Sequence, residues 1–192
     1  MRRNIRHLFA FLPAFFPLLT LAATNRPDRI ELRLDSEVVR IAPGANESAA
    51  SGSYDVRIYS LTNGNELLFV DGLVLPREGT IKKAWYCDLN NDGQPELAVW
   101  IASTDGEARG QFDLLYWAES NRLERAEMPE IPNAWLRGYR GHDSFRIENG
   151  LLLRAFPVFR ERDPADNHTG GGRTLKLIYE KDRWMWRLHA VK

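Results

Sequence analysis

The chain holds a single cysteine, Cys87, so no disulfide can form within it. Secreted domains of eukaryotes usually carry several. Histidine is equally sparse. His7, His142, His168 and His189 are scattered, with no HExxH and no paired spacing, which gives no basis for a zinc site. A nucleophile elbow, a Walker loop and a dinucleotide-binding fingerprint are all lacking. Gly170, Gly171 and Gly172 stand alone before a strand-like run and make no phosphate cradle. Nothing in the sequence sets two carboxylates across a cleft at glycosidase separation. Trp184 and Trp186 share one strand face and read as core rather than as a sugar platform. The chain is therefore read as a non-enzyme.

An excess of charge is lacking too, with 26 basic and 26 acidic residues. The first residues supply part of the basic set. Arg2, Arg3 and Arg6 precede an apolar stretch from Leu8 to Leu21, and small Ala22 and Ala23 follow. That is the order of a secretory signal peptide. The stretch is too short for a membrane span and carries Pro13 and Pro17, which argues against an anchor. Removal of residues 1–23 leaves 23 basic against 26 acidic residues. Such a chain offers no attraction to nucleic acid or to an anionic membrane. With one cysteine and a signal, the expected compartment is a bacterial periplasm. No cysteine lies at the end of the signal, so no lipid attachment point is seen there. Cys87 itself reads as a buried structural thiol.

No window sustains a helical apolar period. Short strand-like runs recur instead, separated by turn residues. ELRLDSEVVRI at 31–41 reads as one strand, and PGANESAASG at 43–52 as a loop or flexible segment. SYDVRIYSL at 53–61 alternates cleanly, and Asn63-Gly64 marks a hairpin before ELLFVDGLVL. TIKKAWYC at 80–87 and QFDLLYW at 111–117 are strand-like. LAVWIAS at 97–103 is nearly all apolar, the mark of a strand buried on both faces. MPEIPNAW at 128–135 reads as extended because its prolines forbid helix. SFRIENGLLLRAFPVF at 144–159 reads as strand, Asn-Gly turn, strand, and a closing hairpin turns around Lys181 and Asp182. The expected fold is all-β, an antiparallel β-sandwich or flattened barrel. The domain reading is a signal over 1–23, an N-terminal strand and flexible segment over 24–52, and one β domain over 53–192. A homodimer is left open.

One stretch carries oxygen ligands at regular spacing. In CDLNNDGQPELA at 87–98, Asp88, Asn90 and Asp92 alternate, Gly93 permits a sharp turn, and Glu96 follows. A hard cation wants six to eight oxygens. The backbone carbonyl near Gln94 and the Glu96 carboxylate would help complete such a shell. The start matches an EF-hand loop, but the twelfth position is Val99 instead of glutamate and no helices flank it. The loop resembles the calcium loops of FG-GAP and related propeller repeats. The competing reading is a turn in which Asp88 and Asn90 cap backbone amides. In either case its role is structural, with Ca²⁺ as the cation if one is bound.

Three stretches together are similar to one family. GSYDVRIYS at 52–60, DGLVLPREGTIKKAWYCDLNNDGQPELAVWI at 71–101 and NGLLLRAFPVFRERDPADNHTGGGRTLKLIY at 149–179 look like the bacterial periplasmic inhibitors of invertebrate-type lysozyme. The shared marks are the G-S-Y-x-V-R strand, the D-x-x-x-D-G-x-x-E loop before a buried strand, and a late L-x-R-x-F-P-x-[YF] strand leading to a G-G-x-R turn. The resemblance implies an antiparallel β domain that blocks a lysozyme with a protruding loop after the buried strand. That position here is Ser103-Thr104-Asp105-Gly106-Glu107-Ala108-Arg109-Gly110. The family's serine–glycine run and tyrosine are replaced by Asp105, Glu107 and Arg109, while Ser103 and Gly106 match. Arg173 stands at the G-G-x-R arginine. It reads either as a second contact beside the loop or as a structural partner of Asp163 or Asp166. The partner-binding set implied is Ser103, Thr104, Asp105, Gly106, Arg109 and Arg173. A periplasmic β module that is held by calcium and inhibits nothing is the alternative.

Overall fold

The computed structural model describes residues 29–62, 66–104, 109–128, 131–180 and 185–189. The signal segment, Asn63-Gly64, residues 105–108 and the Lys181–Asp182 turn lie outside these.

Twelve strands are described, all paired antiparallel. β1 (Ile30–Leu34), β2 (Glu37–Pro43), β3 (Gly52–Leu61) and β4 (Leu67–Arg77) form a first sheet in that order. β5 (Thr80–Cys87), β6 (Glu96–Ala102), β7 (Gly110–Trp117) and β8 (Leu123–Arg125) form a second. β9 (Ser144–Glu148), β10 (Leu151–Pro157), β11 (Gly172–Glu180) and β12 (Met185–His189) form a third, in the order β12-β11-β10-β9.

Alternation along the second sheet explains the layering. Leu97, Val99, Ile101 and Leu115 point to one face and pack with Val39, Ile41, Tyr54, Val56 and Ile58 of the first sheet. Ala98, Phe112 and Leu114 point to the other face and pack with Phe145, Leu152, Leu177 and Tyr179 of the third. The second sheet is thus the middle of three layers, as the apolar run of β6 demands. Each fully buried aliphatic side chain contributes about 1.5–3 kcal/mol. The expected all-β sandwich is what forms, but the flattened barrel is not. Among the described residues no ladder joins one sheet to another. Three separate sheets bury their apolar faces by stacking, so none needs to close on itself.

Two local expectations change. The single strand read over 31–41 is a hairpin. Asp35, at φ 50, and Ser36 turn β1 onto β2, with Ile30 opposite Ile41. The alternation continues through the turn and hides it. Of the stretch read as extended over 128–135, the described residues from 132 onward do not stay so. Trp135 N donates to Pro132 O at 2.8 Å and Leu136 N to Asn133 O at 3.1 Å, winding 132–139 into successive turns. Pro132 supplies only its carbonyl there, which proline can do. Leu68, Phe69, Val70 and Val74 are exposed along β4, an edge strand of the first sheet.

Candidate functional site

The β6–β7 loop leaves the middle sheet where Ala102 pairs with Gly110. Ser103 is half-buried; Thr104 and Arg109 are exposed. Asp105 and Gly106 fall outside the described residues. The stem is gripped at three points.

The first grip is the β4–β5 turn. Gly79 has φ 128, and a Cβ there would meet Ala102 O at 2.1 Å and Ser103 Cα at 2.8 Å. Only glycine lets the turn lie so close to the loop's departing arm. Arg77 is buried beneath this turn. It donates to Gly79 O at 2.5 Å, Ser53 O at 2.8 Å, Ser48 O at 2.8 Å and Ala49 O at 3.2 Å. A guanidinium with its donors spread over four carbonyls fixes all the segments it touches.

The second grip is Gln111, one residue past the loop. Its Oε1 accepts from Glu78 N at 3.3 Å, and its Nε2 donates to Pro76 O at 3.0 Å and to Asp113 Oδ2 at 2.8 Å. The third comes from the far layer, where Asp143 Oδ2 accepts from Gly110 N at 2.8 Å. Arg77, Gln111 and Asp143 were not singled out in the sequence. Most of their partners are remote in sequence, and the one local signal is glycine at 79 and 110, which permits close backbone approach.

Arg173 is placed at the start of β11. Its guanidinium donates to the backbone carbonyls of Trp135 and, at 3.2 Å, Arg137. It does not pair with Asp163, which instead accepts from Arg160 N, Thr169 N and Thr169 Oγ1. Nor is a bond to Asp166 formed. Carbonyls of the wound 132–139 segment lie nearer than either carboxylate. Arg173 therefore anchors that segment, which leads into Asp143.

The 88–96 loop sits at the opposite end of β6. Asp88, Asp92 and Glu96 each offer a carboxylate oxygen, all within 4.8 Å of one another. Asp88 Oδ1 and Oδ2 accept from Asp92 N at 3.2 Å and Gly93 N at 3.1 Å. Asn90 Oδ1 accepts from Asp92 N at 2.9 Å, and Asn90 Nδ2 donates to Asp92 Oδ2 at 2.8 Å. Gln94 contributes its amide to Asp92 Oδ1 at 2.8 Å; its side chain is exposed. Asn91 at φ 55 and Gly93 at φ 82 allow the tight curl. Glu96 is buried and accepts from Leu89 N at 2.8 Å. Burial, with the nearby Asp88 and Asp92 charges, pushes its carboxyl up to about 7. Burial likewise pushes the adjacent Cys87 thiol far above its ordinary range, as suits an inert structural cysteine.

The family model described as periplasmic lysozyme inhibitor of I-type lysozyme matches residues 26–119. Two solved structures are similar. One is the inhibitor of I-type lysozyme from Aeromonas hydrophila, 38% identical, covering 52% of this chain and 83% of that chain, with a TM-score of 0.46. The other is the Aeromonas hydrophila inhibitor in complex with Meretrix lusoria lysozyme, 38% identical, covering 50% and 80%, with a TM-score of 0.45. No match is found among curated proteins. The family match spans the first two sheets as far as the end of β7 and does not reach the 149–179 stretch. Sequence identity over most of the relative's length carries the kinship. The chain belongs to the family of periplasmic inhibitors of I-type lysozyme.

Proposed function

We propose that this protein is a periplasmic inhibitor of an invertebrate-type lysozyme, and that the β6–β7 loop at 103–110 enters the enzyme's cleft. Its role is binding, not catalysis. The observation that carries the reading is the stem of that loop. It lies at the position the family resemblance indicates and is held at Gly79, Gln111 and Asp143, with Arg77 bracing the turn that carries Gly79. An arm ordered before binding loses little freedom on docking. Ser103, Thr104, Asp105, Gly106 and Arg109 would meet the enzyme, while Arg173 supports the neighbouring segment from behind.

The test is a panel of purified lysozymes of the invertebrate, chicken and goose types, assayed for peptidoglycan lysis with the mature protein added. Inhibition of the invertebrate type at nanomolar to micromolar protein is expected. Replacement of residues 104–109 by a Gly-Ser linker should abolish it. Full enzyme rate for every type would refute the reading and leave a non-inhibitory periplasmic module.

We further read residues 1–23 as a cleaved signal. Mass spectrometry of the chain recovered from a periplasmic extract should place the new N-terminus after Ala22 or Ala23.

A second reading concerns the 88–96 loop. Three carboxylates within 4.8 Å, one of them buried, repel one another unless a cation or a proton intervenes. The all-oxygen donor set suits Ca²⁺. Asp88, Asp92 and Glu96 would hold it, with Asn90 and the carbonyl near Gln94 as further donors. Such an ion would brace the entry to β6.

A further inference from the structure

Gly110 opens β7 and ends the candidate binding loop. Its amide donates to a carboxylate 33 residues further along the chain, on Asp143. That residue lies beyond position 119, where the family match stops. It precedes β9 in the third sheet, and its side chain is wholly buried.

Asp143 is itself fixed. Arg154 Nε donates to its Oδ1 at 2.6 Å, and Tyr139 Oη to its Oδ2 at 2.5 Å. Arg154 Nη2 in turn donates to Tyr139 Oη at 2.9 Å. The guanidinium lies over the rings of Tyr139 at 5.3 Å and Phe145 at 5.8 Å. Hydrogen bonds to an ionised acceptor are about twice as strong as neutral ones.

The approach of this cluster to the loop is independently recorded at Gly110. A Cβ there would sit 2.8 Å from Asp143 Cβ and 2.8 Å from Phe145 Cε2. Its backbone is outside the left-handed region, so glycine is required for room and not for φ. The third layer presses directly on the loop's returning arm.

We propose that Asp143 is a positioning residue for the inhibitory loop. It holds the returning arm through Gly110, so that inhibition depends on a layer outside the family match. The inference rests on the lysozyme-inhibitor reading above. Loss of the bond would free the arm and raise the entropic cost of docking.

Three variants test it: Asp143→Ala, Gly110→Ala and, as a control, Leu152→Ala. Leu152 is buried in the same layer and takes part in none of the clamp's hydrogen bonds, so its truncation destabilises the sheet and leaves those bonds in place. Inhibition constants against an invertebrate-type lysozyme are measured beside melting temperature, amide exchange at Gly110 and the rate of trypsin cleavage after Arg109. Asp143→Ala and Gly110→Ala should each weaken inhibition about tenfold or more and accelerate both exchange and cleavage. Leu152→Ala should keep wild-type inhibition despite a lower melting temperature. A folded Asp143→Ala with wild-type inhibition would overturn the proposal. So would a Leu152→Ala that weakens inhibition as much. If Asp143→Ala does not fold, Gly110→Ala and Asp143→Asn take its place with the same criteria. If the wild type inhibits no lysozyme, the functional reading fails by itself. Exchange and cleavage rates then decide the clamp, and unchanged rates overturn it.

Discussion

Tyr54 Oη donates to Asp113 Oδ2 at 2.6 Å between the first and second sheets. Both residues are fully enclosed. Gln111 Nε2 shares the same oxygen, and Arg125 Nε lies 2.8 Å from Oδ1. Burial pushes the Asp113 carboxyl up, against the pull of Tyr54 and Arg125. Tyr54→Phe removes a donor and leaves the carboxylate less satisfied. A loss of about 1–3 kcal/mol is expected. At about 2–4 °C per kcal/mol for a chain of this size, thermal melting resolves it. An unchanged melting temperature would show that Gln111 and Arg125 suffice.

Gly79→Ala should cost more than a surface change. The new Cβ meets Ala102 O at 2.1 Å, and the backbone sits at φ 128. Strain of this kind costs about 1–3 kcal/mol before any clash is relieved. Because the displaced atoms belong to the loop stem, inhibition should fall along with stability. Urea titration and an inhibition assay on the same preparation check both.

Calcium, if held by Asp88, Asp92 and Glu96, links to folding by mass action. A chelator should then lower the melting temperature of protein purified with the ion, and added Ca²⁺ should restore it. Asp92→Ala should abolish the response. A melting curve indifferent to chelator and to calcium would leave the loop as a capped turn.

Acid should destabilise the protein in a defined direction. Leu123 N donates to Asp71 Oδ2 at 2.8 Å and holds that carboxyl below its ordinary value of 3.8, with Arg122 adding to the effect. The amide of Ser53 does the same for Glu47, and those of Arg160 and Thr169 for Asp163. A native pKa below the unfolded one means that the folded state resists protonation. The stabilisation is therefore complete above the ordinary carboxylate range and is lost as pH falls through the depressed native values. Melting temperature should fall as pH is lowered from about 4 to about 2; nearer pH 7 the Glu96 carboxyl, raised to about 7, works in the opposite direction, because the folded state takes up that proton before the unfolded one. Asp71→Asn should flatten part of that slope.

Arg173→Ala should loosen the 132–139 segment. Two carbonyls lose a charged donor, at a cost of about 1–3 kcal/mol. Faster amide exchange at Leu136 and Tyr139 would show the loosening directly, since both amides close turns in that segment. Retention of wild-type exchange there would assign Arg173 a role outside the anchor.

What the sequence revealed was local. The alternation of 53–61 and the apolar run of 97–103 are written in adjacent residues, so their strands and the double burial of β6 could be read. Asn149 at φ 52 and Gly150 at φ 72 turn the chain as an Asn-Gly pair should. The convergence of Asp88, Asp92 and Glu96 followed from spacing. The missing pieces depend on distant partners. Arg173 offered five donors to any acceptor, and nothing nearby in sequence pointed to carbonyls 38 and 36 residues away. Asp143 looked like one acid among many, because the contact that distinguishes it is made by a backbone amide. The third layer was hidden for the same reason. Sequence shows that a strand needs two neighbours, but not which strands they are.

The middle sheet shares its two faces between different partners, and this bears on modularity. Residues 26–119 match the family model, yet in this chain they are not a portable unit. A version ending near Ala126 would turn Phe112, Leu114, Trp85 and Trp100 toward water, a greasy wall the width of a sheet. Anyone transplanting the inhibitor core from this chain must carry the stretch from 127 to 180 with it, or repaint that wall with polar side chains.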